Sequence, residues 1–171
     1  MTILLFSLNY GCSKQSGSKK ISIQKCQNEC SEINDPNFCS RICEKEILDP
    51  RLKFLGFSKQ YGSALFYDLE SIFTSNNTVF VWMKRTYSEK ERQDKIKQNG
   101  GKYKELDFVL RFLEIDCSKR RLRLLSFKEY DFNGSIINQK EIPEFLSSWW
   151  SIPPSSMGEE LFKEVCKKSG K

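Results

Sequence analysis

The sequence predicts an α+β protein: a single antiparallel sheet with a C-terminal helix packed on one face, plus a small N-terminal helical hairpin stapled by disulfides. Three observations carry that prediction. Residues 62–139 hold β-branched and aromatic runs between turn signals. The stretch from Ser155 to Cys166 switches to helical spacing behind two prolines. The cysteines divide into a solitary Cys12, a cluster of Cys26, Cys30, Cys39 and Cys43, and a distant pair, Cys117 and Cys166.

The C-terminal helix is the best-marked element. Pro153 and Pro154 end an extended segment at Trp149-Trp150, and Ser156 followed by Glu159 is a capping box, so the helix begins at Ser155 or Ser156. Leu161 and Val165, with Phe162 and Cys166, form one apolar stripe while Glu160, Lys163, Glu164 and Lys167 face water. That stripe needs a sheet face. The strand ending Leu113-Glu114-Ile115-Asp116-Cys117 offers Val109, Leu113, Ile115 and Cys117 on one side. A Cys117–Cys166 disulfide would tie the two.

At 171 residues, with 39% hydrophobic content, the chain suits one domain and an appendage. The net charge of +6 comes from basic residues interleaved with acidic ones, the mark of a solvated surface. Histidine is absent, which closes off imidazole acid–base catalysis, Ser-His and Cys-His nucleophile pairs, and histidine metal sites. Seven cysteines point to an oxidising compartment.

In chain order, Met1 to Gly11 is a short apolar start before Cys12, and resembles a bacterial lipoprotein signal with its lipidated cysteine. An ordinary signal peptide, or a frayed terminus with a free thiol, would leave a similar trace. Residues 1–12 are therefore read as a signal remnant with its anchor cysteine, and residues 13–22, rich in Ser, Gly and Lys, as a flexible tether. Residues 23–53 hold Cys26-x3-Cys30-x8-Cys39-x3-Cys43 around Asn34-Asp35-Pro36-Asn37. Cysteines four apart share one side of a helix, so two short helices could pair Cys26 with Cys43 and Cys30 with Cys39, although spacing alone leaves the pairing open. A four-thiolate zinc site is the sharper alternative, but it favours closer spacing and a reducing compartment. The helical pattern continues past Glu44 or breaks at Asp49-Pro50, and the main domain, 54–171, begins near Phe54.

Within the domain, Gly62–Asp68 and Ser71–Phe73 read as strands, and Asn76-Asn77 turns the chain into the central strand Thr78–Thr86. Ser88 to Lys102 is highly charged without a consistent apolar face, and is expected as a mobile loop or partly helical excursion. Residues 104–117 and 120–130 form two long strands around Ser118-Lys119, and Asp131 to Gly134 turns into a strand from Ser135. Phe108, Leu110 and Phe112 face away from the helix side, so the second face also needs partial cover. A partner subunit, the hairpin or the charged excursion could supply it.

Candidate sites are few. Lys119, Arg121 and Arg123 make a basic stretch that could meet an acidic protein, anionic lipid heads or glycans; nucleic acid is not an expected partner of an exported protein. Asp68, Asp116 and Asp131 are the carboxylates on which an enzyme would depend, but aspartate before a turn has a structural use. Trp82, Trp149 and Trp150 suit packing. Neither a phosphate loop nor a clustered carboxylate motif for a metal is present, so no cofactor or metal is expected.

Successive blocks resemble the surface-adhesin protein E-like family: Phe66-Tyr67-Asp68-Leu69-Glu70-Ser71-Ile72, Val79-Phe80-Val81-Trp82-Met83-Lys84 and Leu113-Glu114-Ile115-Asp116-Cys117. Lys119 to Ser126, Tyr130-Asp131 with Gly134, and Trp150 to Cys166 continue the series over roughly residues 54–168. The resemblance implies an exported bacterial lipoprotein with about six antiparallel strands and a C-terminal helix disulfide-bonded to one sheet face. It also implies a non-enzymatic protein-binding module in the cell envelope, anchored by lipid to the outer membrane, facing periplasm or surface. The best-known members act as adhesins that bind host extracellular-matrix and plasma proteins and can dimerise, so the resemblance implies a host or envelope protein as partner and allows a homodimer. The hairpin lies outside the resemblance, and a structural or assembly factor of the envelope is the alternative.

Overall fold

The computed structural model describes residues 15–33 and 35–167, with backbone alone described at residues 15–22. Two helices, α1 (Gln15–Cys30) and α2 (Pro36–Glu44), form the N-terminal hairpin. Asp35 caps α2 by accepting the Phe38 N–H at 3.1 Å, and Pro36 supplies a preset first turn. The pairing is nested, Cys26 with Cys43 and Cys30 with Cys39, at Cα separations of 5.6 and 5.7 Å. All four thiols are consumed in disulfides, which removes the zinc alternative. Helix α1 starts inside the stretch read as a tether. Once the stapled turns have nucleated a helix, extending it costs far less per residue than starting one.

Eight strands build one antiparallel sheet: β1 (Leu52–Phe57), β2 (Ala64–Asp68), β3 (Phe73–Ser75), β4 (Thr78–Thr86), β5 (Leu106–Asp116), β6 (Arg121–Asp131), β7 (Ile136–Glu141) and β8 (Trp150–Ser151). The continuous order is β1-β2-β4-β5-β6-β7, with β3 added beside β4 and β8 beside β6. Asn76 and Asn77 take φ values of 49° and 62°, the left-handed pair that matches the twist of the hairpin between β3 and β4. Strand β1 begins two residues before Phe54, the expected start of the domain. Its alternation is hidden by Gly56, which sits at φ +148° in a bulge opposite Leu65.

Helix α4 (Met157–Cys166) follows its N-cap Ser156, whose hydroxyl accepts the Glu159 N–H at 3.1 Å. Leu161 and Val165 are 0% and 1% exposed against Leu113, Ile115, Val79, Val81 and Tyr67. Cys166 joins Cys117 at the end of the stripe. At roughly 1.5–3 kcal/mol per fully buried aliphatic side chain, the stripe alone holds the helix down.

The charged excursion is a capped helix, α3 (Glu89–Asn99), rather than a loop. Ser88 accepts the Glu91 N–H, and the apolar anchoring comes from flanking Tyr87 and Tyr103, which pack with Leu106, Val109, Ile96 and Phe127. Cross-strand register places Val109 on the same sheet face as Leu113 and Ile115, so α3 and α4 share one face. The hairpin covers part of the other: Cys26, Cys30, Phe38 and Ile42 pack on Phe57, Ala64 and Phe66.

Candidate binding face

The hairpin covers one end of the second sheet face and Trp149 lies over Arg121 and Arg123 at the other; between them the face carries no covering element among the described residues. Directly paired residues share a face, so Trp82 with Phe112, Phe80 with Phe73, and Phe108 with Tyr130 all stand on it. The rings stack across strands: Phe73 on Phe80 at 4.7 Å, Phe80 beside Phe112 at 6.0 Å, Phe112 on Trp82 at 5.0 Å, and Phe108 on Tyr130 at 4.7 Å. Phe73 is 52% exposed and the rest are half-buried. Rings stacked face to face turn their edges outward. The result is an apolar ridge, suited to an apolar protein surface more than to a sugar ring, which needs an open aromatic face.

Charge frames the ridge at both ends. Near the hairpin, Lys84 reaches Glu46 at 2.9 Å and lies over the Phe108 ring at 4.5 Å. At the far end stand the arginines of the basic stretch, and their charges are used within the fold. Arg121 pairs with Asp116 at 3.1 Å, Arg123 with Glu114 at 2.5 Å and Glu144 at 3.3 Å, and the Trp149 ring lies 4.4 and 4.7 Å from the two guanidinium carbons. Register dictates this, because Asp116 stands opposite Arg121 and Glu114 opposite Arg123. Lys119 is exposed in the turn, its backbone N–H held by Asp116 at 3.0 Å.

A bulge keeps these groups on one face. Between Phe112 and Leu113 the β6 register steps from Ser126 to Leu124, leaving Leu125 as the extra residue. Arg121 and Arg123 therefore share a face with Ser126, Lys128 and Tyr130 despite the change of parity.

The three aspartates do not converge. Asp68 accepts the Glu70 N–H at 2.9 Å, Asp131 holds the Asn133 and Ser135 N–H groups at 2.9 and 2.7 Å, and Asp116 holds Ser118, Lys119 and Arg121. The Ser118 hydroxyl is the main influence keeping the Asp116 carboxyl below its ordinary range, with the Lys119 N–H and Arg121 adding to it against the opposing effect of burial. Each carboxylate serves its own turn. Sequence reasoning singled out Trp82 and the residues Phe108, Leu110 and Phe112, but not the ridge itself, because Phe73 and Phe80 join it only through the β3–β4 pairing.

The sheet thus has one face under helices and the other partly uncovered, and Asp68, Asp116 and Asp131 each hold a turn. The chain belongs to the surface-adhesin protein E family, whose pattern matches residues 54–167. Similar solved structures include crystal form II of Haemophilus influenzae protein E, with 14% identity, 63% of this chain and 83% of that chain covered, and a TM-score of 0.43. Protein E from non-typeable Haemophilus influenzae shows 15% identity over 72% of this chain and 81% of its own, TM-score 0.43. The selenomethionine form of Haemophilus influenzae protein E shows 13% identity over 70% and 88%, TM-score 0.45. No curated protein sequence matches the chain. The hairpin lies outside the matched span.

Proposed function

We propose that the protein is a non-enzymatic adhesin of the bacterial envelope that holds a host extracellular-matrix or plasma protein against the aromatic ridge. Membership of a surface-adhesin family over residues 54–167 carries the reading. It makes the protein an exported surface protein, and the ridge is an apolar surface on the sheet that no element covers among the described residues. Lipidation at Cys12, which lies outside the described residues, would hold the protein at the outer membrane. Lys119 with the outer edge of Arg121 and Arg123 would then form the polar rim of the contact.

The test uses the non-lipidated fragment from Ser13 on immobilised matrix and plasma proteins, with envelope extract in parallel. Retention of a host protein is expected, weakened at least about tenfold by Phe73→Ser, since truncating an aromatic hot spot costs about 2 kcal/mol or more. No partner retained from either source overturns the proposal. Crosslinks confined to envelope proteins would favour an assembly factor, a reading supported by the hairpin that closes part of the same face.

A further inference from the structure

We propose that the seam between α3 and α4 binds a small oxyanion, a phosphate or carboxylate group, on the guanidinium groups of Arg111 and Arg85. This site lies on the helix-bearing face, opposite the aromatic ridge. Arg111 rises from β5 between its direct cross-strand partners Met83 and Phe127. Met83 belongs to the core under α4, and Phe127 packs with the cluster under α3, so Arg111 stands where the two meet. Arg85 is its diagonal neighbour, roughly 7–8 Å away between backbones and within reach of long side chains.

The local carboxylates are already committed. Glu91 takes Arg85 on one oxygen and the Ser63 hydroxyl on the other. Glu129 accepts the Tyr87 hydroxyl at 3.3 Å and Lys95 at 3.0 Å on Oε1, then the Tyr103 hydroxyl at 3.3 Å and Asn138 at 3.0 Å on Oε2. Four donors fill what a carboxylate can accept. Arg85, Lys95 and Arg111 therefore face two carboxylates, and one positive charge is left over.

That excess falls on Arg111. The side chain is half-buried and makes no hydrogen bond or ion pair to any of the described residues. Arg85 adds a second donor without an acceptor, a buried Nε–H, on a guanidinium that lies over the Tyr61 and Tyr87 rings at 5.1 and 5.6 Å. Burial lowers the affinity of Arg111 for its proton, and the neighbouring Arg85 charge lowers it further, while Tyr87, Glu91 and Glu129 oppose them. A guanidinium does not release its proton at physiological pH, so Arg111 keeps a charge that the local carboxylates offset only from a distance and that a bound anion could contact directly. An oxyanion fits because the planar fork of Arg111 offers two parallel donors. The apolar flanks, Met83 and the nearly inaccessible Tyr87, strengthen such a contact by excluding water.

The experiment follows the arginine Nε–Hε resonances of the full chain by NMR as inorganic phosphate or acetate is added, with chloride keeping ionic strength constant. Saturable shifts of Arg111 and Arg85 in the millimolar range are expected, and which anion produces them identifies the group preferred. Arg111→Gln should weaken binding about tenfold or more, the loss expected for one charge-assisted contact, with Arg111→Lys intermediate. The absence of saturable shifts, or equal affinity in Arg111→Gln, overturns the site. Should Arg111→Gln fail to fold, Arg111→Lys decides, because an ammonium cannot offer the fork and equal affinity would exclude it.

Discussion

Removing the bond between β5 and α4 is the sharpest test of how the domain is held together. In the double variant Cys117→Ala/Cys166→Ala, α4 keeps its buried Leu161 and Val165, and Glu164 still accepts the Tyr67 hydroxyl at 3.1 Å, so the folded state remains docked. The loss falls on the unfolded chain, which regains the freedom of a loop spanning 49 residues. In the chain-entropy account that loop is worth about 4 kcal/mol. At roughly 2–4 °C per kcal/mol for a protein of this size, the melting temperature should fall by about 8–16 °C. Thermal melts followed by circular dichroism under oxidising conditions measure this, and urea titration should show a larger m-value because the unfolded ensemble is less restricted. A fall of less than about 2 °C would refute the reasoning, since the disulfide would then be redundant with the apolar stripe.

Glu129→Gln should cost about 3 kcal/mol in urea unfolding, because it removes the charge that faces Lys95 in a buried network. Burial alone would raise the Glu129 carboxyl, but hydrogen bonds from Asn138, Lys95 and Tyr87 together hold it below its ordinary value. A depressed folded value makes this contribution complete above the unfolded pKa of about 4.3. It is lost as pH falls through the folded value, so wild-type stability should decline in acid and Glu129→Gln should flatten that decline. Ser156→Ala removes the hydroxyl that caps α4 and should cost about 1 kcal/mol, read from chemical denaturation.

Much of the fold was legible because the sheet and α4 obey simple periods. Val79, Val81 and Met83 alternate as a half-buried strand should, and Leu161 with Val165 marks a helical stripe. The disulfide arithmetic resolved as well, since every cysteine from Cys26 onward has its partner. Helix α3 was hidden because its own residues are almost all polar and its anchors, Tyr87 and Tyr103, lie just outside it; the legible signal was Ser88-x-x-Glu91, a capping pattern. The role of Arg121 and Arg123 was misleading for a different reason. Strand alternation places them on one face, but only the hairpin register shows Asp116 and Glu114 opposite them, and only tertiary folding brings Trp149 over them.

The extra residue at Leu125 has a consequence for life on a crowded cell surface. An unbroken outer strand is a template on which a neighbouring molecule can continue the sheet, and dense display multiplies such encounters. Here the border beside β6 is split into the six residues of β7 and the two of β8. The connecting segment departs at the extra residue, where the Ile142 N–H bonds the Leu125 carbonyl at 2.7 Å and the Ser147 hydroxyl bonds that of Leu124 at 2.6 Å. A neighbour arriving at this border finds two short, interrupted templates. This border is therefore a poor place for the sheet to continue into a neighbouring copy, which leaves recognition to the faces of the sheet rather than to this edge.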